Sequence, residues 1–283
     1  MTGDAAGRTR PVAARSGGWG ERSLLGIAGL FALFLGLPVA TLVARSILDG
    51  SLRVALASPE VLDALWLSLV TTAISLVVTV VLGLPLAFVL ARRRFRGRGL
   101  VEAVVDLPIV LPPSVAGLAL LLVFSRAGLL SAPFEFLGIT VPFTTVAVIL
   151  AMVFVSAPFF VRSARAGIAG VDRDLEDAAR VDGATEPQLF RSITIPLAGA
   201  ALAGGLVMTW ARSLGEFGAT IMFAGNVQGR TQTLPLVVYS EFQGGDLDAS
   251  IAAAAILVLA AFGVLVAVRF FHWGRVLDVR GIT

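Results

Sequence analysis

Cysteine and lysine are absent from this 283-residue chain, and histidine occurs once, as His272. Without thiols there is no disulfide framework and no thiolate metal site. One imidazole leaves no cluster for metal ligation and no His-based relay, so neither a metal nor a cofactor is expected. A phosphate-cradling loop of the G-x-x-x-x-G-K-[ST] type needs a lysine, so the chain is not expected to hydrolyse ATP itself. Charge of either sign is scarce: 14% of residues are charged and 57% are hydrophobic, with a mean hydropathy of +0.91. Soluble domains carry about 25% charged residues, so this is the composition of a membrane protein. The few carboxylates are scattered over loops and one membrane pair, with no acid–base dyad, and no catalytic residue is expected.

What the chain does have is long apolar runs. A helix needs about 20 apolar residues to cross the hydrocarbon core. Six stretches qualify: Leu24–Ala44, Leu62–Ala91, Ala103–Phe124, Phe143–Val161, Leu197–Phe223 and Ile251–Phe271. Residues 1–23, rich in Gly, Arg and Ala, read as a disordered tail. The run 24–44 is too long for a signal-peptide core and reads as a retained first span. Residues 62–271 then hold five further spans, with a polar loop at 172–196, and 272–283 form a second tail. The third run carries Pro108, Pro112 and Pro113 near its start, and the fifth carries two charges.

All 22 basic residues are arginine, and their placement is informative. Seventeen lie before the first run, after the second, after the fourth or at the end of the sixth, whereas the alternate loops hold only Arg45, Arg53, Arg126 and Arg230. This strict alternation is the positive-inside pattern; it puts both termini and loop 172–196 in the cytoplasm. The basic pI reflects membrane orientation, and no nucleic-acid partner is expected. The runs lack the two-residue alternation of barrel strands, so the expected fold is an all-α bundle of six transmembrane helices in the lipid bilayer.

The polar loop has its own helical grammar. Asp172, Asp174, Glu176 and Asp177 crowd the first turns of a helix reaching Val181, where negative charge complements the dipole. Gly183 marks a stop or sharp turn. A second short helix is expected from Thr185, with Glu186 and Pro187 in its first turn. Leu189, Phe190 and Ile193 form its apolar side, and Pro196 marks re-entry into the membrane. Such a module either fills a groove on another protein or packs beneath its own bundle.

In the fifth run Arg212 and Glu216 share one helix face. Membrane charges pair or face a protein or aqueous interior. Two readings follow: a structural ion pair, or a pair beside a translocation path where Arg212, with neighbouring Ser213, attracts an anion. Gly204, Gly205, Gly215 and Gly218 are expected to allow close helix approach. The prolines of the third run make either an irregular entry or a hinge; in the second case Ser114 and Gly117 line the path.

The stretch from Asp177 to Pro196 resembles the cytoplasmic loop of permease subunits of binding-protein-dependent ABC importers. That signature is E-A-A, three residues, Gly, nine residues, Ile-x-Leu-Pro. Gly183, Ile193 and Pro196 keep its register, while Asp177 replaces the Glu and Ile195 the Leu. The resemblance implies a type I importer permease bundle, in which Asp177, Ala178, Ala179, Gly183, Ile193 and Pro196 couple the chain to a separate ATPase. R-S-L-G-E-F-G-A-T-I-M-F-A-G-N from Arg212, T-Q-T-L-P-L-V-V-Y from Thr231 and D-L-P-I-V-L-P-P-S-V-A-G from Asp106 are similar to molybdate and tungstate importers. Sulfate permeases share the A-R-x-L-G-E-F-G core. The likeness runs from about Leu65 to Ala267. It implies a bacterial plasma-membrane homodimer whose pathway lies between third and fifth spans, an external oxyanion-binding protein, and a pair of ATPase subunits below. The external loop Gly225–Asp248, with Asn226, Gln232 and Tyr239, is then a docking surface or outer gate, or a plain connector. The nearest rival is sulfate or thiosulfate import; an ion-coupled carrier or an intramembrane enzyme using Arg212 and Glu216 is a rival of another class.

Overall fold

A computed structural model describes residues 18–278 apart from 127, 132–135 and 137. Most of the expected first tail (1–17) and the last five residues (279–283) lie outside the described residues. The described secondary structure is entirely helical. In chain order the helices are α1 (Gly18–Leu48), α2 (Ser51–Ala57), α3 (Pro59–Arg92), α4 (Arg98–Val110), α5 (Pro113–Phe124), α6 (Thr145–Ala169) and α7 (Arg173–Val181). There follow α8 (Glu186–Leu197, with a π turn at Phe190–Thr194), α9 (Gly199–Leu214), α10 (Gly218–Phe223), α11 (Leu234–Gly244) and α12 (Leu247–Asp278). Residues 18–23, expected in the tail, already belong to α1.

Among the described residues four helices are long and apolar enough to cross a bilayer on their own: Ser23–Leu48, Pro59–Arg92, Thr145–Ala169 and Leu247–Val266. The other two expected spans are not single helices. α4 and α5 meet at 118°, and α8 and α9 meet at 72°. Six crossings result only if each bent pair counts as one. The first break has a local cause. Leu111 precedes Pro112, and Pro112 precedes Pro113, so both are driven out of the helical region; their ψ angles are 134° and 133°. Pro113 then opens α5 at the position where a missing N–H costs nothing. With 12 residues, α5 is about 18 Å long, short of a hydrocarbon core. The fifth expected span, 197–223, is also interrupted: α9 stops at Leu214, and residues 215–217 separate it from α10.

α6 is the central helix, packed against both α3 and α9. It runs eight residues past the expected end at Val161, so Arg162 and Arg165 stand on its last turns and pair with Asp106 and Glu102 of α4. Ser68, Thr71, Thr72, Ser75 and Thr79 give α3 a buried polar stripe. Thr71 and Ser75 return their hydroxyl protons to their own helix, at Leu67 O (2.6 Å) and Thr72 O (2.8 Å). Small side chains at this spacing let helices approach closely. Three apolar clusters surround the stripe. One joins α5, α6 and α10 around Met152 and Phe223, one joins α3, α11 and α12 around Leu234 and Ile256, and one joins α3 and α6 around Phe160 and Ile168. α1 differs from the rest: it packs mainly along α12 and α2, and its apolar span has no buried face.

The stretch 225–248 is not a free loop. Thr231, Gln232 and Thr233 are buried, and α11 seats Leu234, Leu236 and Val237 in the core. Asn226 and Tyr239 remain exposed.

Candidate functional site

The segment 172–196 folds into the expected two helices about a turn. Asp172 caps α7, its Oδ1 accepting the Asp174 N–H at 3.0 Å. Gly183 occupies the left-handed region at φ +90°, where a side chain is strained. Thr185 N–H donates to Gln188 Oε1 at 2.9 Å and opens α8. Arg180 closes the turn, reaching Asp177 at 2.6 Å and Glu186 at 2.7 Å. Glu186 first and Asp177 second hold its guanidinium pKa above the ordinary arginine value.

The module is fastened to the bundle by a carboxylate that sequence reasoning assigned only to the helix dipole. Glu176 is 4% exposed. Its Oε1 accepts from Arg92 Nη2 at 2.6 Å and from Thr194 Oγ1 at 2.9 Å, and Arg92 also reaches Val171 O at 3.3 Å. One carboxylate therefore ties α7, the end of α3 and the π turn of α8 together. Phe190 adds an edge-on contact with Phe88 of α3, ring centroids 5.1 Å apart. The sequence hid this because Arg92 is 84 residues away. The available hint was that Glu176 shares an α7 face with Ala179, not with Asp177.

The outward face of the module is inverted relative to an ordinary surface helix. The polar Glu176 points in, while Leu175 (51% exposed) and Val181 (87%) point out, alongside exposed Asp177 and Ala178. Along the turn and α8 runs an open groove lined by Asp182, Gly183, Ala184, Gln188, Ser192 and Ile193. Pro196 is exposed beyond it. An ordered edge that exposes apolar side chains in this way has the chemistry that protein–protein contacts use.

The second constellation lies where α9 ends. Arg212 Nη1 approaches Glu216 Oε2 to 2.6 Å, off the axis of a linear hydrogen bond. The Glu216 side chain is 1% exposed and that of Arg212 29%. Glu216 Oε1 accepts the Ala219 N–H at 2.7 Å, so the same carboxylate caps the start of α10. Ser213 lies behind this pair. It is fully buried and donates to Ser156 Oγ of α6 at 2.9 Å, while Ser75 Oγ of α3 lies 3.4 Å from its own Oγ. Ser114 is exposed at the head of α5, whereas Gly117 is buried. A Cβ at Gly117 would meet Ala219 O at 2.5 Å, and one at Gly218 would meet Pro113 Cβ at 2.7 Å, so these two glycines interlock α5 and α10. Gly205 likewise lets Ser163 approach, but Gly204 and Gly215 face no neighbouring helix. Among the described residues no group of His, Asp or Glu is placed to hold a metal ion.

The family model for the binding-protein-dependent transport system inner membrane component matches residues 80–273, which include both constellations. The chain belongs to that family. Its members are membrane subunits of transport systems, non-enzymatic and multi-pass in the inner membrane, and the apolar helices described above are those of such a permease. This permease is 41% identical over 236 residues to the molybdenum transport system permease protein ModB of Mycobacterium tuberculosis, covering 83% of this chain and 88% of that one. It is 31% identical over 249 residues to the probable sulfate transport system permease protein cysT of Zygnema circumcarinatum, covering 87% and 86%. Among solved structures, a bacterial ABC transporter for the acidic polysaccharide alginate superposes with a TM-score of 0.71 at 18% identity, covering 89% of this chain and 94% of that one; this likeness is one of fold.

Proposed function

We propose that the chain is the membrane-spanning subunit of an ATP-driven importer of molybdate, with tungstate as a second cargo. The observation that carries this reading is the 41% identity to a molybdenum permease over nearly the whole membrane core. The lower identity to a sulfate permease over a similar length makes sulfate the second reading. Two copies form the transporter, each with six crossings and cytoplasmic termini, and the anion passes between them. Ser114 and Arg212 face this path, with Ser213 and Gly117 packed behind it and Glu216 holding Arg212 in place. A loaded binding protein docks on the outer face. On the inner face an ATPase dimer grips the exposed edge of the module through Asp177, Ala178, Ala179, Gly183 and Ile193, with Pro196 at the membrane edge. ATP-driven closure moves α7, and the Glu176–Arg92 link passes that motion to α3 and opens the bundle outward; hydrolysis resets it.

The test is ATP hydrolysis by the chain reconstituted in lipid with its neighbouring ATPase and binding protein. Stimulation by low molybdate or tungstate, with sulfate inert, is the expected result. Stimulation by sulfate alone moves the cargo to the second reading. Failure to form a complex with any ATPase removes the importer reading itself.

A further inference from the structure

At the end of α6 opposite the module, described residues of the α5–α6 and α10–α11 linkers line an open cavity of about 620 Å³. Arg126 and Arg230 both line it, together with the hydroxyls of Ser125, Ser131 and Thr140 and the ring of Phe143. No carboxylate is among its described lining residues, and neither arginine has an ion-pair partner among the described residues. Arg45, at the same end, is paired with Asp248 at 3.0 Å and Asp49 at 3.9 Å.

Arginine is depleted on the translocated side of membrane proteins. That two of the four on this side meet in one cavity with no ion-pair partner among the described residues is therefore informative. The walls are set in advance. The N–H groups of Arg230, Thr231 and Gln232 converge on the Val227 carbonyl at 2.8–3.1 Å, and the Arg230 carbonyl accepts the Thr145 hydroxyl at 2.9 Å. Phe143 is the one described non-glycine residue at positive φ (60°), held by its N–H to Phe223 O at 3.3 Å. A residue kept in such a conformation is over-determined by its surroundings. Through Phe223 the cavity floor is joined to α10, whose other end is capped by Glu216.

We propose that this cavity is an entry site for a hydrated tetrahedral oxyanion, held by the guanidinium groups of Arg126 and Arg230 with the three hydroxyls around them. Guanidinium forks match such anions in charge and geometry. Both arginines are exposed to water, which limits each contact to roughly threefold in affinity. Weak holding suits a site that must pass its cargo on. The inference rests on the importer reading for the orientation of this end.

The experiment uses the complete permease–ATPase assembly in lipid nanodiscs. Equilibrium dialysis with radiolabelled molybdate, without the binding protein, reads the site directly. Wild type is expected to show weak, saturable binding; Arg126→Gln with Arg230→Gln weakens it about tenfold, being two contacts of roughly threefold each. Arg126→Lys with Arg230→Lys keeps most of it, which separates charge from folding. With the binding protein added, the double Gln variant needs more molybdate for half-maximal uptake at an unchanged maximal rate. Unchanged dialysis in the double Gln variant overturns the proposal. So does a variant that loses only capture of the binding protein, because the cavity is then a docking surface for that protein. Arginine-dependent binding and uptake of sulfate with molybdate inert supports the entry site and overturns only the molybdate assignment.

Discussion

The two ends of α6 treat charge in opposite ways. At the module end four cations that hold the elements together are each answered by a carboxylate from another element: Arg92 by Glu176, Arg162 by Asp106, Arg165 by Glu102 and Arg180 by Glu186. At the other end Arg126 and Arg230 face a cavity together, and Glu60, Glu241 and Asp246 crowd one another. Cross-linked charges make an end that transmits displacement as a unit. Charges with no partner among the described residues, such as Arg126 and Arg230, make an end ready to receive something charged. Both are consistent with a permease that is pushed from one side and loaded from the other.

The comparison breaks most readily at Glu176. Its side chain is 5% exposed and that of Arg92 10%, so Glu176→Ala strands a buried cation and costs about 3–5 kcal/mol. A large drop in thermal midpoint and fewer molybdate ions carried per ATP are expected. Replacing both partners by Met restores most of the stability; full recovery of coupling as well would reduce the pair to a strut. Glu216→Ala, between the two ends, removes the α10 cap but leaves Arg212 free to rehydrate. The loss is about 1–2 kcal/mol by thermal unfolding, and an effect as large as that of Glu176 would erase the distinction between the two carboxylates.

Gly183→Leu acts at the turn of the module, on the proposed ATPase-docking edge. Nothing lies within 4 Å of the added Cβ, so the fold pays only the left-handed backbone, about 1–2 kcal/mol. Membrane insertion survives, while transport is uncoupled from ATP hydrolysis; normal uptake by this variant contradicts the docking surface. The smallest effect is at the crowded end. Burial first, and then Glu60 and Asp246, raise the Glu241 carboxyl above the usual range. A raised carboxyl gives stability below its unfolded pKa and loses it as pH rises through the folded value. Glu241→Gln is therefore expected to raise the thermal midpoint slightly at neutral pH and not at all below the ordinary carboxylate range.

Much of this was legible from sequence because it is local. Apolar runs, the prolines at 108, 112 and 113, the turn at Gly183 and the i,i+4 pair of Arg212 and Glu216 all express their physics within a few residues. What stayed hidden depends on distant partners. Glu176 looks like one more acid at a helix start until Arg92 is brought to it. Ser213 looks like a neighbour of Arg212 on a path until Ser75 and Ser156 close around it. Residues 225–248 look like a loop because α11 is short, and only contact with α3 and α12 shows that it is core. The bend of 118° was signalled by its prolines, but its size is set by packing.

The interlock of Gly117 and Gly218 has a mechanical consequence. α5 follows the break at residues 111–112, and α10 follows the break at residues 215–217. Joined face to face, the two short helices are a single leaf hung on two pins. Such a leaf has one axis open to it, the line between its pins, and a displacement of either helix must carry the other with it. Loosening either pin leaves the leaf guided by the other, but a bulky side chain at Gly117 would split the leaf and leave two flaps with no common stroke.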